Sequence, residues 1–186
     1  DSYGRLAYMQ DGNMRAAGRA MFTIYDEASR VAVTGLCNDD AMAENATIPT
    51  TTAAFDETAT GLCKTGYLIT CPEYLQNAEL LTSTYYDNYD FLGLTAFSDL
   101  PAVSPSSYAS AAGLPTGSLT AVLDNSVGKT APIASVTFYD TEERPVKTVS
   151  TTHLADTHEQ TETTYTLDDQ PRKVSHTLKY KDETYD

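Results

Sequence analysis

Ile133-Ala134-Ser135-Val136-Thr137-Phe138-Tyr139-Asp140-Thr141-Glu142-Glu143-Arg144-Pro145-Val146-Lys147-Thr148-Val149 is the stretch that decides the fold. Successive side chains of an extended chain face opposite ways, so Val136 and Phe138 share one face while Thr137 and Tyr139 share the other. The polar run Asp140-Thr141-Glu142-Glu143 interrupts this alternation, and Pro145 to Val149 resumes it. A four-residue polar connector carrying Asp suits a type I turn between antiparallel strands. The stretch predicts a β-hairpin.

The same grammar recurs outward from it. Ala20 to Tyr25 and Val31 to Leu36 alternate in the same manner, with Phe22 and Ile24 opposed to Met21, Thr23 and Tyr25, and Asp26-Glu27-Ala28-Ser29 lies between them. A third connector is Leu167-Asp168-Asp169-Gln170. Thr50 to Phe55, Tyr67 to Cys71 and Leu80 to Tyr86 read as further strands. Asn38 to Asn45, acidic with some Ala and Met, suits a loop or a single helical turn. Gly93 to Gly117 is rich in Gly, Ala, Ser and Pro and reads as a surface excursion. The expected class is all-β, antiparallel hairpins stacked into an extended twisted sheet. Its parts are an N-terminal hairpin region (1–92), the excursion (93–118) and C-terminal hairpins (119–186), together one continuous β unit.

Composition agrees and excludes several functions. Thirteen Tyr, five Phe and no Trp, with abundant Thr, suit pleated, half-buried surfaces. Twelve Lys and Arg against 26 Asp and Glu leave a formal net charge of −14. That field repels phosphate backbones and anionic head groups, so nucleic acid is not an expected partner. No run approaches the roughly 18 to 20 apolar residues that a membrane-crossing helix needs. The chain opens on Asp1 without a charged-then-apolar leader and ends on Tyr185-Asp186, which suggests an excised fragment whose export signal lies outside it.

Aligned on their tyrosines, the connectors form a unit: Tyr25-Asp26-Glu27-Ala28-Ser29-Arg30-Val31, Tyr139-Asp140-Thr141-Glu142-Glu143-Arg144-Pro145, and a degenerate Tyr165-Thr166-Leu167-Asp168-Asp169-Gln170-Pro171. Asp can accept turn N–H groups, and the Arg stem can lie along the sheet with its head offered to carboxylates. This unit resembles the YD or RHS repeat, whose usual form is Tyr-Asp-x-x-Gly-Arg. The stretch from Leu81 to Gly93, with Tyr86-Asp87, and Gly113-Leu114-Pro115-Thr116-Gly117-Ser118 are similar to the long RHS-related surface proteins of gut-type bacteria. The turn glycine is missing, with Ser29 and Glu143 in its place, so a looser loop is expected there.

The resemblance implies a secreted or cell-surface bacterial protein whose repeats stack into a spiralling sheet. In toxin-carrying members that sheet wraps an effector. The implied partners are the rest of a larger polypeptide and an encapsulated effector or a surface partner, with strand edges able to self-associate. On this reading Tyr25, Asp26, Arg30, Tyr86, Asp87, Tyr139, Asp140, Arg144 and Tyr165 are signature residues with structural roles, and no cofactor is implied.

Chemistry-bearing groups are sparse. Cys37, Cys63 and Cys71 lack C-x-x-C spacing, and burial as small apolar groups is favoured over one disulfide plus a free thiol. His153 and His158, near Asp156 and Glu159, would point to opposite faces of a strand, so a polar hairpin loop is preferred to a metal site or a hydrolase centre. Asp39, Asp40 and Glu44, and separately Asp87 and Asp90, do not match a calcium loop. Gly117-Ser118 lacks a nucleophile elbow, and Asn45-Ala46-Thr47 is a coincidental glycosylation sequon. Tyr8, Tyr25, Tyr67, Tyr85, Tyr86, Tyr89, Tyr139, Tyr165 and Tyr180 are expected as cross-strand stacks rather than a sugar platform. The expected function is a non-catalytic scaffold segment. The rival is a surface module in which tyrosines and acidic loops recognise a glycan or protein.

Overall fold

The computed structural model describes residues 3–39, 51–55, 65–69, 75, 78–123, 131–180 and 183–185; for 51–55, 68, 183 and 184 it describes the backbone alone. The chain is all-β with antiparallel pairing and little helix. It divides into two compact units, Asp1–Ser83 and Thr84–Asp186.

In the first unit, β1 (Tyr8–Met9), β2 (Arg19–Tyr25) and β3 (Val31–Asn38) pair in sequence, and a five-residue helix, α1 (Gly12–Ala16), links the first two. Asp11 caps that helix, its carboxylate accepting the Met14 amide at 2.7 Å. β4 (Thr51–Phe55) and β5 (Tyr67–Ile69) form a separate two-stranded ladder. β6 (Glu79–Asp87) pairs with β3 through its first five residues. The alternation of β2 is realised, with Ala20, Phe22 and Ile24 fully buried. These face Cys37, Gly35 and Val33 across the ladder. Gly35 is required there, because a β-carbon would strike the Phe22 ring and the Glu79 carbonyl. On the opposite face, the Thr34 and Thr82 hydroxyls meet at 2.6 Å.

The second unit carries β7 (Ala111–Thr120), β8 (Ile133–Tyr139), β9 (Pro145–Thr151), β10 (Thr157–Tyr165), β11 (Pro171–Tyr180) and β12 (Glu183–Tyr185), paired in that order. Ala134, Val136 and Phe138 are buried with Leu119 of β7 and Val149 of β9. The last hairpin is thinner. Most of β11 is exposed, including Val174 and Tyr180.

The expected surface excursion is corrected. Between β6 and β7 the chain makes three short 3-10 turns, Asp90–Gly93, Thr95–Phe97 and Pro105–Ser107, and buries Phe91, Leu94 and Phe97. Phe91 stacks on Tyr85 with centroids 4.6 Å apart, while Tyr89 and Tyr108 stack on Phe138 at 5.0 and 4.4 Å. The segment supplies core. It then enters β7, so the Gly- and Pro-bearing run Gly113–Ser118 is strand rather than loop. Gly117 leaves room for this packing, since a β-carbon would strike the Phe91 ring.

The tyrosines expected as cross-strand stacks are placed in more than one way. Tyr85 and Tyr89 meet rings of the 3-10 segment and of β8, and other tyrosines use their hydroxyls on main chain, as described below.

Candidate functional site

The hairpin turns are where side-chain chemistry concentrates. In the first, Asp26 N–H donates to the Arg30 carbonyl at 2.9 Å and Ser29 N–H to the Asp26 carbonyl at 3.0 Å. The second repeats this with Asp140, Glu143 and Arg144 at 3.0 and 3.1 Å. The third repeats it with Thr166, Asp169 and Gln170 at 2.9 and 3.3 Å. In all three the ladder register shifts at the tyrosine, after Ile24, Phe138 and Thr164. Such a type I turn closed by a bulge needs a left-handed residue at the bulge.

That residue is usually Gly, yet here it is Ser29 at φ 63°, Glu143 at φ 61° and Asp169 at φ 60°. The looser loop expected from the missing glycine does not occur. Side-chain clasps hold the tight turn instead. Asp26 bridges Arg30, one oxygen accepting its amide at 2.8 Å and the other its Nε at 2.7 Å. Asp140 holds Arg144 likewise, at 3.0 and 2.8 Å, and also accepts the Glu142 amide at 3.0 Å. Thr166 does a lesser version, its hydroxyl accepting from the Gln170 amide at 3.2 Å. Asp26 is 2% exposed, so its charge is compensated almost wholly from within the turn.

Burial by itself would push the Asp140 carboxyl up. The hydrogen bonds from the Arg144 side chain, the Arg144 and Glu142 amides and the Arg144 charge together outweigh it, and the group sits below its ordinary value of 3.8. The Arg144 guanidinium is held protonated by Asp140 first and then by Asp169, with desolvation opposing.

Each turn tyrosine donates its hydroxyl to a main-chain carbonyl outside its own turn. Tyr25 donates to Leu6 at 2.9 Å, Tyr139 to Pro115 at 2.6 Å and Tyr165 to Pro145 at 3.0 Å. In two places the residue before that carbonyl is an arginine lying over the same ring. Arg5 sits 4.4 Å from the Tyr25 centroid, and Arg144 sits 4.8 Å from that of Tyr165. The sequence pattern placed Ser29, Thr166 and Asp169 within their turns without giving them a bonding role, and missed Arg5 altogether. For Arg5 the available signal was Gly4-Arg5, a Gly-Arg pair like the one in the Tyr-Asp-x-x-Gly-Arg form that the turns resemble.

Tyr86 and Asp87 also close a turn-like junction. Asp87, at φ 72°, accepts the Gly113 amide at 2.6 Å, and Gly113 takes φ 86°. The Gly113-Leu114-Pro115 run therefore ends this junction as Glu143-Arg144-Pro145 ends the second turn, with residues 88–112 lying between its two halves.

A hollow of about 430 Å³ beside the third turn is lined by Glu142, Arg144, Tyr165, Thr166, Asp169 and Arg172. A second, of about 320 Å³, is lined mainly by Ile133, Thr151, His153, Leu154, Thr157 and Leu178. His153 lies in the turn between β9 and β10, and His158 lies within β10. Burial and the neighbouring Lys179 charge lower the His158 pKa. Glu159 accepts the Ser150 hydroxyl at 3.0 Å through one carboxylate oxygen, and the other lies 3.5 Å from His176 Nε2. Among the described residues no group of three metal-ligating side chains converges. None of their helices is long and apolar enough to cross a membrane.

Cys37 is a buried free thiol whose pKa burial raises, and it donates to the Ala20 carbonyl at 3.6 Å. Cys63, Cys71, Asp40, Glu44 and the Asn45 sequon lie outside the described residues.

No family model matches the chain, and no curated protein matches it in sequence.

Proposed function

We propose that this chain is a non-catalytic scaffold segment of a larger exported protein of the YD/RHS-repeat type, part of a wall that encloses an effector. One observation carries the reading: three turns, led by Tyr25, Tyr139 and Tyr165, share one hydrogen-bond pattern and one left-handed position. The Asp and Arg of the first two turns, and Asp169 of the third, are engaged within or between turns. Asp26, Asp140 and the three tyrosine hydroxyls all bind the protein itself, which suits a repeated building block better than a site facing a ligand.

The test is limited proteolysis of the full product of the reading frame that encodes this chain. A resistant β-rich wall retaining a protected C-terminal fragment is expected. Prompt digestion of that fragment, with the repeat region left whole, would contradict enclosure.

The rival, recognition of a glycan or protein at the cell surface, draws on Tyr180 and Tyr185, which are 42% and 53% exposed. Saturable binding on a glycan array that Tyr180→Ala abolishes would favour it over the scaffold.

A further inference from the structure

The left-handed position of a turn is where glycine is cheapest, because a β-carbon at φ near 60° is disfavoured by about fivefold relative to it. Three turns carry Ser29, Glu143 and Asp169 there instead. Two of these side chains touch an arginine from outside their own turn. The Ser29 hydroxyl accepts from Arg5 Nη1 at 3.1 Å, and the Asp169 carboxylate accepts from Arg144 Nη1 at 2.6 Å.

Both arginines stand in the same place. Each follows a left-handed residue, Gly4 at φ 76° or Glu143 at φ 61°. Each lies over the tyrosine that leads the turn it reaches. Each precedes the carbonyl that this tyrosine's hydroxyl binds. The contact is therefore one three-part joint found twice: ring under guanidinium, hydroxyl to carbonyl, and guanidinium to the left-handed side chain.

The second turn is the internal control. Tyr139 reaches the Pro115 carbonyl, but the residue before it is Leu114, so the joint there lacks a guanidinium for Glu143 to accept.

We propose that the side chain at the left-handed position is the receptor for an arginine from outside its own turn, and that Arg5–Ser29 and Arg144–Asp169 thereby select which segment can sit beside each turn. This rests on the scaffold reading and adds a neighbour-recognition code to it. Glycine at that position makes a turn indifferent to its neighbour, while an acceptor makes it prefer one that offers arginine. Hydroxyl and carboxylate receptors differ in strength, and the charged pair is the more selective.

A double-mutant cycle on the full chain tests this by urea unfolding. Asp169→Gly relieves backbone strain and removes the receptor, whereas in an Arg144→Gln background it does only the first. The expected result is that Asp169→Gly improves the folding equilibrium constant at least about threefold less with Arg144 present than without it. Equal effects in the two backgrounds overturn the proposal.

Arg144→Gln also breaks the Asp140 clasp and so puts folding itself at risk. The second cycle avoids this by building the missing joint. Leu114→Arg is expected to stabilise the native chain but not the Glu143→Gly variant, with a coupling of about threefold. Absence of that coupling in folded proteins overturns the code while leaving the proteolysis result, and hence the scaffold reading, untouched.

Discussion

Tyr139 is 7% exposed and ends a strand, so its phenol needs an internal partner, which the Pro115 carbonyl provides at 2.6 Å. Removing the hydroxyl with Tyr139→Phe leaves that carbonyl short of a donor and is expected to cost about 1 kcal/mol in urea unfolding. Asp140 makes a pH-dependent contribution of definite sign. Its folded pKa lies below the unfolded value, so its stabilisation is complete at neutral pH. It weakens as pH falls through the ordinary value of 3.8 and is lost below the folded pKa. The stability gap between the native chain and Asp140→Asn is therefore expected to be widest near pH 7 and to close under acid, as read from urea midpoints across that range.

At the scale of elements, β7 is held by what it must pack against. Gly117→Val would drive its side chain into the Phe91 ring and is expected to destabilise by about 2 kcal/mol, measured by thermal or urea unfolding. β7 also shows where the sequence was opaque. Gly113, Pro115 and Gly117 carry little strand preference, and at Gly117 it is the pairing of Gly117–Thr120 with Ile133–Val136 that imposes the extended state from outside. The alternating strands β2 and β8 needed no such help, since Phe22, Ile24, Val136 and Phe138 announce their buried faces by period two. The turns were legible in part. Tyr, Asp and Arg marked them, but a left-handed Ser29 or Glu143 could not be foreseen, because the Asp-to-Arg clasps that hold the tight turn are visible only in three dimensions. Tyr165 to Pro171 looked degenerate by letter, yet Thr166 replaces Asp with a hydroxyl that makes a shorter-reaching version of the same bond.

At the scale of the molecule, the second unit gains its core by folding the segment between β6 and β7 onto Tyr85 and Phe138. Tyr89 reports on that packing. Burial first, then the neighbouring Tyr139 and Tyr108, raise its pKa to about 12. A raised phenol pKa stabilises the fold fully below the ordinary value of 10.0 and ceases to do so as pH climbs toward 12. Stability is accordingly expected to fall between those values, and Tyr89→Phe should make the fall less steep, as read from urea midpoints with tyrosinate absorbance followed alongside.

The central claim is that three turns of dissimilar sequence are one physical object, held by the same main-chain bonds. Native-state hydrogen exchange measures this most directly. The Asp26, Asp140 and Thr166 amides, each bonded across its turn, are expected to be protected to a similar degree, together with the carboxylate-bound amides of Arg30 and Arg144. Exchange of these amides at the rate of an unstructured peptide would contradict the account.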